Sequence, residues 1–388
     1  MKNTYIKSTA GLALGHFSIE IYASLLIPLY PLITQKMGIE LATISFAIAI
    51  VHFLSCCAQP YLGYIADKMS HRIFLFWGLF GVSIFIPLAS KCTFILPFSL
   101  CLLMGMVGNA AYHPQASSLM KIFNKNNPEI SKMMGVFLGL GTIGYSLGPY
   151  LSTNFCNKFG LENLFYVSIF GIIIACFINF FLPKIPKIEH TTKENFLFIV
   201  KEILKDKICV YLVLISSIKS AISVCFGTYI PFLLQKASYP LEEIGIITTL
   251  FFISGGFATI LSSKFEKYLG SKGTIALSML AVLPCLIGFL TFINTNKPLA
   301  ILSIVGSGFF VLLSVGVILV LAQHAMKKYT GVISGAIQGV GWGIGGLVLA
   351  PAGIFAQYFG IEKILLVIAS IAFIVGLLGL NKVHIKNK

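Results

Sequence analysis

Two residues of this chain are hard to explain without chemistry. Glu20 stands in LGHFSIEIYASLLIPLYPL, residues 14–32, a run otherwise almost wholly apolar, with His16 one helical turn before it and Ser24 one turn after. Lys219 stands in an equally apolar run, 208–235, with Ser216, Ser220, Ser223 and Gly227 at helical spacing around it. Residues four apart share a helix face, so each run carries a polar stripe that a lipid-packed helix does not need. A carboxylate beside an imidazole can hold and pass a proton. An ammonium in a low-dielectric site can anchor an anion.

Position sharpens the question. Twelve residues separate Glu20 from Ser8, about 18 Å of helix, which is near the middle of a hydrocarbon layer about 30 Å thick. An ionised side chain facing lipid there costs at least about 2.5–3.5 kcal/mol. Glu20 must therefore face a polar cavity, be protonated or have a partner. Adding 199 to 20 gives 219, so the one clear intramembrane acid and the one intramembrane base are expected at matching positions facing a common cavity. Three arrangements satisfy this expectation. The two form a static ion pair, they form a pair that substrate or proton breaks during a cycle, or they act separately as proton carrier and anion anchor.

Further polar residues are candidates for the same cavity. Asn109, Tyr112, His113 and Ala116 share one face of a run that Pro114 should kink. Tyr145, Gln338 and Trp342 could meet a substrate by stacking or hydrogen bonding. His52, Cys56 and Gln59 line one face of another run, where packing is expected, and Gln323 and His324 are expected at the end of a helix. The nine cysteines lie mostly in apolar runs with no C-x-x-C pair, so inert thiols are expected and no metal site. No G-x-x-x-x-G-K-[ST] loop is present, so no nucleotide cofactor is expected. Glu20 is the one deep acid among thirteen, and no paired carboxylates suggest an enzyme.

The elements that carry these residues follow from composition. The 388 residues are 57% hydrophobic and 11% charged, with a mean hydropathy of +0.92; soluble domains carry about 25% charged residues. Apolar runs long enough to cross a bilayer recur throughout, and they lack the alternation of barrel strands. The chain is therefore expected to be an all-α polytopic membrane protein. Twelve spans are expected, near 8–34, 41–65, 73–90, 94–121, 132–155, 164–182, 208–235, 242–263, 274–293, 298–324, 331–356 and 364–381. The first is too long for the apolar core of a signal peptide and lacks an A-x-A-like site. The one long connection, 183–206, contains ENFLFIVKEILKD, whose Phe196, Ile199, Val200, Ile203 and Leu204 fall on one face. Its expected role is a surface helix between two six-helix bundles, 1–182 and 207–388.

The net charge of +15 reads as topology, not nucleic-acid binding. With the N-terminus in the cytoplasm, 21 of the 28 basic residues fall on cytoplasmic segments and Lys36, Lys91, Lys158, Lys236, Lys297 and Lys363 fall one to each outer loop. The halves also repeat at an offset of about 200. YPLITQK answers YIPFLLQK, Gly135, Gly139 and Gly141 answer Gly335, Gly339 and Gly341, and KFGLEN answers YFGIEK. A parallel repeat of two six-helix halves is a transporter architecture with its substrate site between them.

On these residues the chain resembles the major facilitator superfamily over nearly its whole length. GYIADKMSHR resembles that family's loop after the second helix, with Gly63, Asp67, Lys68 and Arg72 matching, Ser70 in place of a glycine and His71 in place of a basic residue. Glu266 stands in the equivalent loop of the second half. The resemblance implies gating for these residues. Gly135, Gly144 and Gly148-Pro149 partly resemble an antiporter motif, with Ser152-Thr153 where that motif ends in Gly-Gly; close helix packing explains them equally well. GHFSIEIY, AAYHPQAS and GVISGAIQGVGWGIGG are similar to segments of the fosmidomycin-resistance-type exporters, with Glu20 where Asp is usual and Gln115 where Glu is usual.

The resemblance implies a secondary transporter working by alternating access, with proton-coupled efflux of a small anionic or zwitterionic compound or drug. An importer of a nutrient or metal chelate on the same fold is the alternative, and an integral-membrane enzyme or transporter-like sensor a distant one. The expected setting is a bacterial inner membrane, with both termini cytoplasmic and the chain a monomer. Its expected partners are substrate, protons and lipid.

Overall fold

A computed structural model describes residues 2–67, 72–124, 129–182, 196–326 and 330–378. The chain is helical almost throughout. Its elements are α1 Lys2–Ser24, α2 Tyr30–Met37, α3 Leu41–Asp67, α4 Ile73–Ala89, α5 Ile95–Phe123, α6 Ile130–Phe159, α7 Ser168–Phe181, α8 Phe196–Lys205, α9 Lys207–Lys236, α10 Leu241–Leu280, α11 Val282–Phe292, α12 Lys297–Leu312, α13 Val315–Ala325, α14 Thr330–Gly335, α15 Trp342–Leu347, α16 Leu349–Phe359 and α17 Ile361–Leu378. A π turn, Ala336–Gly341, joins α14 to α15.

These elements make the twelve expected crossings. α1 and α2 form one, bent where a 3₁₀ turn carries Pro28 and Pro31 opens α2, because proline removes a backbone donor and crowds the preceding turn. The 52-residue apolar run Leu241–Phe292 is two crossings, divided at Gly270, whose φ of 69° and ψ of 170° break the helix. Prolines 60, 114, 149 and 231 sit inside α3, α5, α6 and α9; neighbouring helices and hydroxyls can satisfy the freed carbonyls. Large apolar side chains such as Phe46, Phe170, Ile260 and Leu302 are exposed, the surface expected of a protein solvated by acyl chains.

Packing divides the helices into two sets. In the first, α1 lies on α6, α5 on α3 and α4, and α4 on α7; in the second, α10 lies on α12, α11 on α12 and α9 on α15. Contacts between the sets run chiefly through α6 with α10 and α3 with α15 and α16. Small residues set both kinds of approach. A Cβ at Gly144 would overlap the Phe17 carbonyl, and one at Gly345 the Ser217 carbonyl. Between the sets, Gly245 faces Thr153 and Gly353 faces Ser45. Gly144 and Gly148 of the antiporter-like motif both press on α1, so they are seams of helix contact here.

The internal repeat has a structural register of 200 residues. Gly38 and Ser238 both take the left-handed conformation, at φ 63° and 61°. Lys36 pairs with Glu162 and Lys236 with Glu362. His16 Nδ1 meets the Phe137 carbonyl and Ser216 Oγ donates to the Ile337 carbonyl.

α8 packs along the second set. Ile203 is buried against Cys209 and Leu212 of α9, while Leu204 is 67% exposed, so the expected five-residue apolar face divides between the two. The side chains of Phe196, Ile199 and Val200 lie outside the described residues. Asp206 ends the segment by accepting the Cys209 N–H at 2.9 Å, an N-cap for α9.

Candidate functional site

Glu20 is held by two histidines. His113 Nε2 lies 2.9 Å from its Oε1, and His16 Nε2 lies 3.6 Å from the same oxygen. The 16–20 contact follows from i, i+4 spacing on α1. His113 arrives from α5, one residue before Pro114, whose ring abuts Gly63 of α3. His16 is fixed from behind, with Nδ1 2.8 Å from the Phe137 carbonyl and its ring stacked on the Phe137 ring at 4.3 Å. A carbonyl can only accept, so Nδ1 carries hydrogen and Nε2 is the atom that faces Glu20. The ring needs the space Gly141 leaves, since a Cβ there would overlap it. Side-chain exposure rises from 7% at His16 to 15% at Glu20 and 26% at His113, so the cluster is reached past His113.

Lys219 lies elsewhere, which corrects the expectation of two charges facing one chamber. Its Nζ donates to Ser278 Oγ at 2.8 Å and to the Phe310 carbonyl at 3.5 Å. Ser278 in turn meets Ser314 Oγ at 2.8 Å. These partners belong to α10, α12 and the α12–α13 turn, so the buried lysine points into the second set. The register explains it: at an offset of 200, Glu20 answers Ser220, and Lys219 answers Ile19, which is fully buried. One residue on a helix is a rotation of about 100°, enough to turn a side chain from a cavity into a bundle. The serine stripe around Lys219 is likewise divided. Ser216 donates to the Ile337 carbonyl and Ser220 to the Trp342 carbonyl at 2.7 Å, so both bind α9 to its neighbour; Ser223 faces the cavity described next.

That cavity lies between the two sets and is lined by Tyr30, His52, Tyr145, Ser223, Phe252 and Trp342, among others. It leaves ≈ 100 Å³ for the centres of water-sized molecules, where one ordered water needs about 10–15 Å³. Its wall is mainly aliphatic, with the rings of Tyr30, Tyr145, Phe252 and Trp342 and the hydroxyls of Ser223 and Thr228 set into it, and with no Lys, Arg, Asp or Glu among the described residues that line it. Ala23 and Ile27 of the wall are i+3 and i+7 from Glu20, and Met106 is i−7 from His113. The carboxylate cluster thus continues the same helix faces, toward the N-terminal end of α1.

Of the other expected residues, Tyr145 and Trp342 join the cavity, Tyr145 packing edge-on to Phe252 at 4.9 Å. Tyr112 does not: it is fully buried and donates to the Leu12 carbonyl at 3.1 Å, tying α5 to α1. Asn109 is buried one turn from His113. Gln338 is exposed on the π turn and is not part of the cavity wall. Gln323 donates to Ser334 Oγ at 2.8 Å and His324 is exposed. Gln115 accepts the Leu75 N–H at 2.8 Å, serving the start of α4. Tyr30, not among the expected residues, and His52, expected only to pack, are also on the wall. Tyr30 is legible in the chain, since 20, 23, 27 and 30 follow one helix face. His52 reads as packing because Cys56, whose Sγ is 3.6 Å from its Nε2, hides its second neighbour, the cavity.

In the expected gating loop, Arg72 Nη1 donates to the Leu182 carbonyl at 2.6 Å, placing a cation just beyond the C-terminal end of α7, where the helix dipole favours it. Glu266 accepts from Ser271 Oγ at 2.6 Å. All of Lys68 lies outside the described residues.

The model of the Major Facilitator Superfamily matches residues 12–350. The chain belongs to this family. It is a multi-pass membrane transporter, and like its relatives it moves small molecules across a bilayer. It is similar to the fosmidomycin resistance protein of Escherichia coli (strain K12), at 23% identity across 91% of this chain and 87% of that one. It is also similar to the multidrug resistance protein MdtG of Yersinia enterocolitica, at 25% identity across 74% of this chain and 72% of that one. Among solved structures, the nucleoside transporter NupG superposes with a TM-score of 0.77 at 14% identity, covering 97% of this chain and 99% of its own. A bacterial homolog of the human lysosomal transporter Spinster, inward-facing and unoccupied, gives 0.73 at 12%, covering 97% and 96%. These two likenesses concern the fold alone.

Proposed function

We propose that the protein is a proton-coupled exporter of a small, largely uncharged or weakly polar compound, with Glu20, His16 and His113 as the proton-carrying group. The observation that carries this is the 2.9 Å contact of His113 Nε2 with Glu20 Oε1, on helix faces shared with the cavity between the sets. Intramembrane acids bonded to imidazoles commonly serve as proton relays. Relatives named for drug resistance favour export. The mainly apolar wall, with four aromatic rings in it, favours largely uncharged substrates, and the enclosure of Lys219 removes the reason to expect an anion.

The cycle follows from charge. With the basic loops inside, the ends of the helices joined across the sets by Gln35–Gln235, Asn157–Glu242 and Ser45–Tyr229 are the outer ends, and the cavity opens inward when the inner ends part. Substrate enters as the cluster gives its proton to the cytoplasm. The two bundles, 1–182 and 207–388, then rock against each other. Outside, a proton returns to the cluster and substrate leaves. Asp67, Lys68, Arg72 and Glu266 latch the inner ends, and both termini stay cytoplasmic in an inner membrane. A monomer suffices for this cycle.

Purified protein in liposomes tests the reading. A pH gradient imposed across the membrane should drive a resistance-screen substrate against the flow of protons. Equal substrate movement with the gradient collapsed would refute proton coupling.

A further inference from the structure

The donor atoms around Glu20 form more than a hydrogen-bonded relay. His16, Glu20 and His113 each offer one ligand atom, and these lie within 4.8 Å of one another. The separations of 2.9 and 3.6 Å at Glu20 Oε1 bracket the roughly 3.3 Å between neighbouring donors around a tetrahedral ion with bonds of about 2.0–2.1 Å. The second nitrogen of His16 is already committed to the Phe137 carbonyl, the contact that metal-ligating histidines use to fix tautomer and ring. That commitment leaves Nε2 of His16 as the ring atom that faces the carboxylate oxygen, and a neutral ring there would share a cation with the carboxylate. Lys219, a base buried within a span, is bonded in the other set of helices and does not occupy the place.

We infer that His16, Glu20 and His113, in their deprotonated state, constitute a binding site for one divalent transition-metal ion of the Zn²⁺ class, which competes with the proton for the same atoms. Two imidazoles and a carboxylate suit Zn²⁺, Co²⁺ and Ni²⁺. Ca²⁺ and Mg²⁺ need six or more, mostly oxygen, ligands. Three protein ligands leave a coordination position open, which water or a chelating group on a transported compound can fill; His113 is the most exposed of the three, at 26%. The chain itself shows only half of the site: His16 and Glu20 are four apart, but 92 residues lie between Glu20 and His113.

The site can be tested on the purified full chain in detergent, without a histidine tag. Co²⁺ titration should show one equivalent with the visible ligand-field bands of low-coordinate Co²⁺, displaced by Zn²⁺ and indifferent to excess Mg²⁺. Glu20→Gln and His113→Ala should each weaken binding at least about tenfold, whereas His324→Ala, at an exposed residue, should not. Zinc-edge X-ray absorption of the wild type should show two imidazoles at the ion; this arm needs no variant to fold. Absence of a bound equivalent, unchanged affinity in Glu20→Gln, or a zinc shell without imidazole would each overturn the inference. The measurement uses no gradient, so its failure leaves proton coupling standing, and a failure of coupling leaves the metal site standing.

Discussion

The two halves of this molecule agree at their edges and part company at their centres. At the ends of the helices the repeat is kept down to single interactions: Lys36 with Glu162 and Lys236 with Glu362, Gly38 and Ser238 in the same unusual backbone conformation. In mid-helix the first half carries a carboxylate between two histidines, while the second carries a serine at the matching place and a lysine one residue before it. The contact from α1 to Phe137 persists as the contact from α9 to Ile337, but an imidazole has become a hydroxyl. A duplicated scaffold has thus kept its packing in both copies while its acid and imidazoles stand in one. The chemistry is asymmetric on a symmetric frame.

That contrast can be broken or sharpened by mutation. The largest effect is expected where both halves depend on close helix approach. Gly144→Leu and Gly345→Leu each drive a side chain into the backbone of α1 or α9, and overpacking costs about 1–3 kcal/mol or more. Both should lose most folded protein, read as monodisperse yield after detergent extraction. If only one does, the two seams are not equivalent. Next, His113→Phe keeps the ring volume and removes the contact to Glu20; transport should persist but lose at least about tenfold of its response to an imposed gradient, the scale of a lost charge-assisted hydrogen bond of about 1.5–3 kcal/mol.

A smaller effect is expected at Lys219. A buried amine with no acid partner is costly to hold away from water, so Lys219→Met should keep its melting temperature or raise it, and should keep gradient-driven transport within a few-fold. Loss of coupling in that variant would restore a role for Lys219 opposite Glu20. The smallest effect belongs to the repeated edge pairs. At Glu362, burial works to raise the carboxyl pKa, but the hydrogen bond from Lys236, a bond from its own backbone N–H and the charge of Lys236 together outweigh it, and the net shift is downward. A carboxyl lowered in the folded state stabilises above its unfolded pKa of about 4.3, and that contribution disappears as pH falls through the lower folded value. Because the pair is exposed, Glu362→Gln should lower the melting temperature at pH 7 by about 1 °C or less, with the difference vanishing in acid.

Much of the fold is legible without coordinates. Apolar runs mark the crossings and lysines mark the loops; Gly144 and Gly148 mark a seam, whereas Gly135 and Gly139 face open space. The site is legible where one helix holds it: His16 and Glu20 are four apart, and Tyr30 follows on the same face. It is not legible where two helices meet. Nothing in the chain joins His113 to Glu20, since that contact depends on how α5 crosses α1. Lys219 misleads because a repeat read to within one residue leaves a side chain uncertain by about 100° of rotation. Within these two helices, the contacts at Phe137 and Ile337 choose an offset of 200 over 199.

The account stands on Glu20 being the group whose proton drives transport. Glu20→Gln, reconstituted in liposomes and assayed with and without an imposed pH gradient, asks this most directly. The account expects a folded variant that still lets substrate equilibrate but ignores the gradient. A variant whose substrate flux still follows the gradient as the wild type's does would contradict it.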